Sequence, residues 1–376
     1  MSNPQTYLYQ YAFNQDCSCL SVCTTADFRT VTLIPTLSEV SRRRISSEAT
    51  LSTEACPVNV ACMLFQTNYM ALVLRSNPYK VLLWDETLSQ PPHELWSRFE
   101  VINVVLRRDI ICVVAEYKIY VYEFGGSFQV LLHLETSSNP RGLCCVSIAD
   151  AHSWTLVCPG TAKGQVRVQL GLDDSISTTI NAHSCPVAAL AVNPDGTMVA
   201  SASEQGTVVK VFSSTSGQLL YELRRGTTNA DISCINFRSD SKFLIVASAS
   251  LTVHIFRLAN DDLKKAATSS LSQLAGGSRA VAQFKIPDTG SDLRVSGSQI
   301  NGPICCFSKS NPDGIFVVHI NGLVYEAFFD PARVIPQECV FTGASAFFQA
   351  RPDFAIGKEA STVPGGGDHE DNWNVL

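Results

Sequence analysis

The stretch from Val187 to Gly226, VAALAVNPDGTMVASASEQGTVVKVFSSTSGQLLYELRRG, decides the fold. VAALAVN (187–193) is a short apolar run that predicts a strand, and PDG (194–196) is a turn. MVASASE (198–204) predicts a second strand and QG (205–206) a second turn. VVKVFSS (208–214) is a third strand, and SG (216–217) precedes a fourth, LLYELRR (219–225). Four short strands joined by tight turns make one antiparallel sheet.

The unit recurs along the chain. Downstream, ISCINFR, SDS, FLIVASA and TVHIFRL repeat it. Upstream copies read VINVVLRR, IICVVAE, KIYVYEF, LLHLET and then GLCCVSIA, TLVCPGT, QVRVQLG, STTINAH. A second unit is NVACMLF, YMALVLR, KVLLWDE, HELWSRF, and a seventh is PICCFSK, GIFVVHI, LVYEAFF, ECVFT. The first, YLYQYAF, CLSVCTT, FRTVTLI, is weaker. Third strands end near Trp84, Tyr122, Leu170, Phe212 and Phe256, hence 38, 48, 42 and 44 residues apart. WD-type blades repeat every 40–45 residues or so. A double β-sandwich would also give short strands and turns, but not this self-similarity. The predicted fold is therefore all-β: a seven-bladed WD-type β-propeller with four-stranded antiparallel blades. One domain is expected over 1–350, followed by a disordered acidic tail over 351–376 that contains GGGDHED.

Composition narrows the function. Apolar residues make up 45% and charged ones only 16%, which suits many buried strands. The formal net charge of -6 leaves no bulk basic field for nucleic acid, so any anion site must be local. No apolar run is long enough for a membrane span, and MSNPQTYLYQ has no signal-peptide pattern. The 14 cysteines sit largely in apolar runs without CxxC or regular Cys/His spacing. They read as buried thiols of a reducing cytosol, with no metal site. No G-x-S-x-G, H-E-x-x-H or P-loop occurs, so neither an enzyme nor a cofactor is expected.

The fourth strand of unit five ends in Leu223-Arg224-Arg225-Gly226. Side chains alternate faces along a strand, so these two arginines should serve two separate anion pockets. Each guanidinium can grip a phosphate bidentately. Gly226 is read as the residue that lets the chain turn directly after them. A solvated strand end is the plain alternative. Leu106-Arg107-Arg108-Asp109 carries the same doublet with Asp in place of Gly, so context must decide.

That context resembles the PROPPIN family, the β-propellers that bind polyphosphoinositides. The hallmark Phe/Leu-Arg-Arg-Gly motif is matched by Leu223 to Gly226. NPYKVLLWDE, VLRRDIICVV, NPRGLC, CPGTAKG, TINAH, VASASEQGT and ISCINF…TVHIF resemble family segments in the right order over residues 58–258. The Leu form of the motif is most similar to the animal subgroup linked to autophagosome formation. The resemblance implies a blade-five pocket of His183, Ser203, Thr207, Lys210 and Arg224. It implies a blade-six pocket of Arg225, Ser248, Thr252 and His254. Hydroxyls and imidazoles would donate to phosphate oxygens, and histidine charge near pH 6 should strengthen binding. His183 also fits the structural histidine of ordinary WD repeats, His254 a satisfied core residue, and the two serines turn caps. Lys210 stands where the family usually has Arg. Leu251 stands where it usually has Gly, which should reshape the second pocket's loop.

Two more segments break the repeat. Residues 35–55 place Arg42, Arg43 and Arg44 in a Ser-rich loop. Residues 259–280 correspond to the family's membrane-entering loop, where Leu263, Leu271 and Leu274 would enter the bilayer beside Lys264 and Lys265. The resemblance further implies recognition of phosphatidylinositol 3-phosphate and the 3,5-bisphosphate. It implies a monomer in the cytoplasm, recruited to preautophagosomal and endosomal membranes. It also implies an autophagy lipid-transfer protein docked on the early blades, near the AFNQD stretch (Ala12–Asp16). The competing reading is a WD-repeat scaffold that binds only proteins.

Overall fold

Among the described residues seven sheets follow one another in chain order, each built on four antiparallel strands hydrogen-bonded in sequence. Two of them have a fifth strand added in parallel, and Ile45–Ser46 pairs with Ala55–Cys56 in a separate two-stranded ribbon. The computed structural model describes residues 8–347, apart from 25–26, 35, 44, 47–54, 57, 88–91, 150–153, 174–175, 259–277, 288–301 and 334–335. In blade five the strands are Val187–Val192, Met198–Ser203, Val208–Ser213 and Leu219–Arg224. Their turns follow from side-chain chemistry: Asn193 Oδ1 accepts from the Met198 amide at 2.8 Å, and Gly196 takes φ +75°. Among the described residues no helix is long and apolar enough to cross a membrane.

Each blade is apolar on both faces, so its core lies between neighbours. Val209, Val211, Tyr221 and Leu223 of blade five pack on Ile235, Leu244, Val246 and Phe256 of blade six. Val199 and Phe212, on the other face, pack on Val157, Val168 and Ile180 of blade four. The ring closes by the same packing: Leu20, Val22 and Val31 of blade one meet Phe316, Val318 and Val324 of blade seven. Among the described residues no strand is shared, and Tyr11 Oη donates to Gly302 O at 2.6 Å across the seam. The inner strands surround an axial cavity of about 430 Å³.

Two expectations about loops change. Ser38–Arg43 forms the fourth strand of blade one, so Arg42 and Arg43 belong to a strand and not to a Ser-rich loop. Arg42 pairs with Glu39 at 3.2 Å and with Asp27 at 3.6 Å. The end of the 259–280 segment is also a strand: Ser278–Arg279 adds in parallel to the outer strand of blade five. The fourth strand of blade six is Ala282–Lys285, which Gln337–Glu338 extends in parallel. Leu263, Lys264, Lys265, Leu271 and Leu274 lie outside the described residues, as does the acidic tail.

Candidate functional site

Register decides where the two arginines go. Leu223 is fully buried at the interface of blades five and six. Arg224, one residue on, falls on the opposite face, exposed and opposite Val208, with Lys210 opposite Glu222 on that same face. Arg225 turns back toward blade six and is only 8% exposed. Its Nε donates to Gly206 O at 2.8 Å and its Nη2 to Thr228 O at 2.7 Å.

Between blades four and five, His183 Nε2 lies 3.0 Å from Ser201 Oγ. Lys210 Nζ donates to Ala182 O at 3.0 Å. Burial, and then the charge of Lys210, hold the His183 ring down to about 4. Ser203 is buried at the end of its strand, and the Thr207 carbonyl receives the Arg225 amide at 2.9 Å. Ser201 was missed in the sequence. It lies two residues before Ser203, on the same strand face, and that period was the available signal.

Between blades five and six, His254 is 6% exposed and its Nδ1 has no partner. Burial, and then Arg225, bring its pKa to about 4. Ser248 Oγ is 2.8 Å from Ser250 Oγ and donates to Thr252 O at 3.3 Å, while Thr252 Oγ1 donates to Ser250 O. The hydroxyls here are partly engaged within the turn, and the histidine nitrogen is the unsatisfied group.

Both rings are therefore neutral at pH 6 in the free protein, which corrects the expectation of histidine charge there. The unfolded chain binds more protons than the folded one between pH 6.5 and 4, so stability should drop as pH falls through that window. Melting temperatures measured from pH 7 to 4 should decline, and His254→Asn should flatten the slope. A slope unchanged in that variant would contradict the assignment.

Glycine roles also move. Gly226 is not left-handed, and a Cβ there would meet nothing within 4 Å. The demanding position is Gly206, at φ +61°, where a Cβ would stand 1.8 Å from Ala230 O. Leu251 holds the matching position in blade six at φ +57°, and its amide still donates to Ser248 O at 3.1 Å. The turn keeps its shape despite leucine, whose side chain packs on the six–seven core.

In the other doublet Arg107 is neutralised. Arg107 Nη1 donates to both carboxylate oxygens of Asp109 at 2.6–2.7 Å and its Nη2 to Ala149 O, while Arg108 lies 4.7 Å over the Phe65 ring. The AFNQD stretch is also largely spent internally: Gln15 Nε2 donates to Met63 O and Leu106 O, and Asp16 pairs with Lys309 at 2.7 Å.

Seven four-stranded sheets in a ring, with two arginines at one strand end facing opposite sides, define a WD-type β-propeller. The sequence matches the profile of the PROPPIN family over residues 7–298, and the chain belongs to that family. It is 34% identical over 290 residues to Autophagy-related protein 18e of Arabidopsis thaliana, covering 73% of this chain and 75% of that one. It is 32% identical over 249 residues to WD repeat domain phosphoinositide-interacting protein 1 of Xenopus laevis, covering 66% and 56%. Among solved structures, Kluyveromyces lactis Hsv2 superposes with a TM-score of 0.71 at 21% identity, over 91% of this chain and all (100%) of that one. KlAtg21, in a complex with the coiled coil of AgAtg16, gives 0.71 at 22% identity with the same coverage.

Proposed function

We propose that this protein is a peripheral membrane effector of autophagy that binds phosphatidylinositol 3-phosphate and phosphatidylinositol 3,5-bisphosphate. One observation carries the reading: a single strand end puts Arg224 on the face of Lys210, whose charge acts on the buried His183, and turns Arg225 back toward the buried His254. Arg224 and Lys210 supply charge between blades four and five, where His183, Ser203 and Thr207 donate to phosphate oxygens. Arg225 does so between blades five and six, with His254, Ser248 and Thr252. Phosphate would raise both histidine pKa values, so binding takes up protons.

Membership in the PROPPIN family supports the lipid class, and the Xenopus relative is named for phosphoinositides. The 259–280 segment is proposed to add shallow membrane contact through its leucines and lysines, giving avidity. The protein would act as a cytoplasmic monomer, recruited to preautophagosomal and endosomal membranes and delivering an autophagy lipid-transfer partner. Flotation with vesicles containing phosphatidylinositol 3-phosphate tests this. Wild type should float, and Arg224→Thr/Arg225→Thr should stay with the unbound fraction. Wild type remaining unbound at low salt would leave a protein-binding scaffold instead.

A further inference from the structure

We infer that Arg279 is a second arginine of the pocket between blades four and five, closing with Arg224 on one phosphate monoester. This rests on the anion-binding reading of that pocket. Ser278–Arg279 pairs in parallel with the outer strand of blade five, Leu223 against Ser278 and Arg224 against Arg279. Strands so paired run about 4.8 Å apart, and paired residues share a face. Burial gives the same orientation independently. Ala280 is packed into the five–six core with Leu223, so Arg279 points the other way, with Arg224 and Lys210.

Both guanidiniums are exposed, and neither makes a hydrogen bond or ion pair with a described residue. Glu222, two residues before Arg224 on that face, forms no ion pair with either arginine. Like charges held side by side without a counter-charge repel. Three arginines in or beside strands elsewhere are paired with a carboxylate, Arg29 with Asp27, Arg107 with Asp109 and Arg238 with Asp240, whereas Arg224 and Arg279 have no such partner among the described residues. At Arg224 and Arg279 a bound anion would supply the counter-charge. Two planar forks side by side, with the Lys210 ammonium behind, suit a tetrahedral dianion with three free oxygens better than a carboxylate with two. A phosphate monoester, on a lipid headgroup or free, has that form.

The position sets apart 55 residues of sequence, so the doublet motif alone could not include it. The test is titration of vesicles of phosphatidylcholine with phosphatidylinositol 3-phosphate against wild type, Arg279→Gln, Arg279→Lys and Arg224→Thr/Arg225→Thr. Arg279→Gln should weaken binding about tenfold, and Arg279→Lys should recover part of that. Melting temperature should not change, because the side chain has no protein partner to lose. Arg279→Gln combined with Arg224→Thr should cost less than the two losses summed, since both act on one phosphate. If Arg279→Gln binds like wild type while the double Thr variant does not, Arg279 is outside the pocket and the pocket reading survives. If wild type fails to bind, the pocket reading falls with it. Calorimetry with soluble inositol 1,3-bisphosphate and with inorganic phosphate separates the sources. Tighter binding of the headgroup assigns the clamp to lipid, and equal binding assigns it to free phosphate. A loss seen on vesicles but with neither soluble probe would make Arg279 a bilayer-surface contact and overturn the proposal.

Discussion

Gly206→Ala should destabilise the propeller by roughly 3 kcal/mol and abolish vesicle binding through both pockets. The new Cβ would stand 1.8 Å from Ala230 O, a backbone atom on the connection between blades five and six. That connection cannot simply retreat. Ala230 N is bound to Gln205 O, Arg225 spans from Gly206 O to Thr228 O, and Asp231 is forked by Arg141 at 2.8 and 2.9 Å. Relief therefore displaces Arg225 and the Ser203–Thr207 turn together, which removes one group from each pocket. The left-handed φ of +61° adds a further penalty for any Cβ. Gly226→Ala is the control, since its Cβ would meet nothing within 4 Å and its φ is ordinary. Scanning calorimetry should show a fall of several degrees for Gly206→Ala and none for Gly226→Ala. An unshifted Gly206→Ala would mean that the connection is soft and the brace unimportant.

Arg225→Thr should cost roughly 2–4 kcal/mol of stability, whereas Arg224→Thr should stay within about 0.5 kcal/mol of wild type. The two are neighbours with the same chemistry, and only their surroundings differ. Arg225 is 8% exposed and makes two charge-assisted bonds to backbone carbonyls that a threonine cannot reach. Arg224 is exposed and has no bond to a described residue. Both should weaken membrane binding, but only Arg225 should lower the denaturation midpoint. Arg225→Lys should fall between, because an ammonium can hold one carbonyl but not span both. Equal denaturation midpoints for the two Thr variants would remove this division of labour. The double Thr variant should thus be read with its stability measured.

Much of the architecture was legible in the chain. The strand-turn rhythm of Val187–Gly226 and its copies marked all seven blades, because alternation and turn chemistry are local properties. Alternation also assigned Arg224 and Arg225 to different faces. Other features were hidden because they depend on contacts between distant segments. The Arg107–Arg108 doublet differs from Arg224–Arg225 through Ala149 O and the Phe65 ring as well as through Asp109. Leu251 suggested a reshaped turn, yet the six–seven core holds its side chain and the turn stays left-handed.

By itself, then, the sequence determined a ring of four-stranded blades and a pair of arginines aimed at two interfaces, since periodicity and pleat act over a few residues. Only the tertiary structure decided which glycine is sterically confined, that Arg225 is braced by two carbonyls, and that Arg279 lies beside Arg224. Each of those depends on the steric and electrostatic meeting of segments tens of residues apart, and no local pattern encodes that distance.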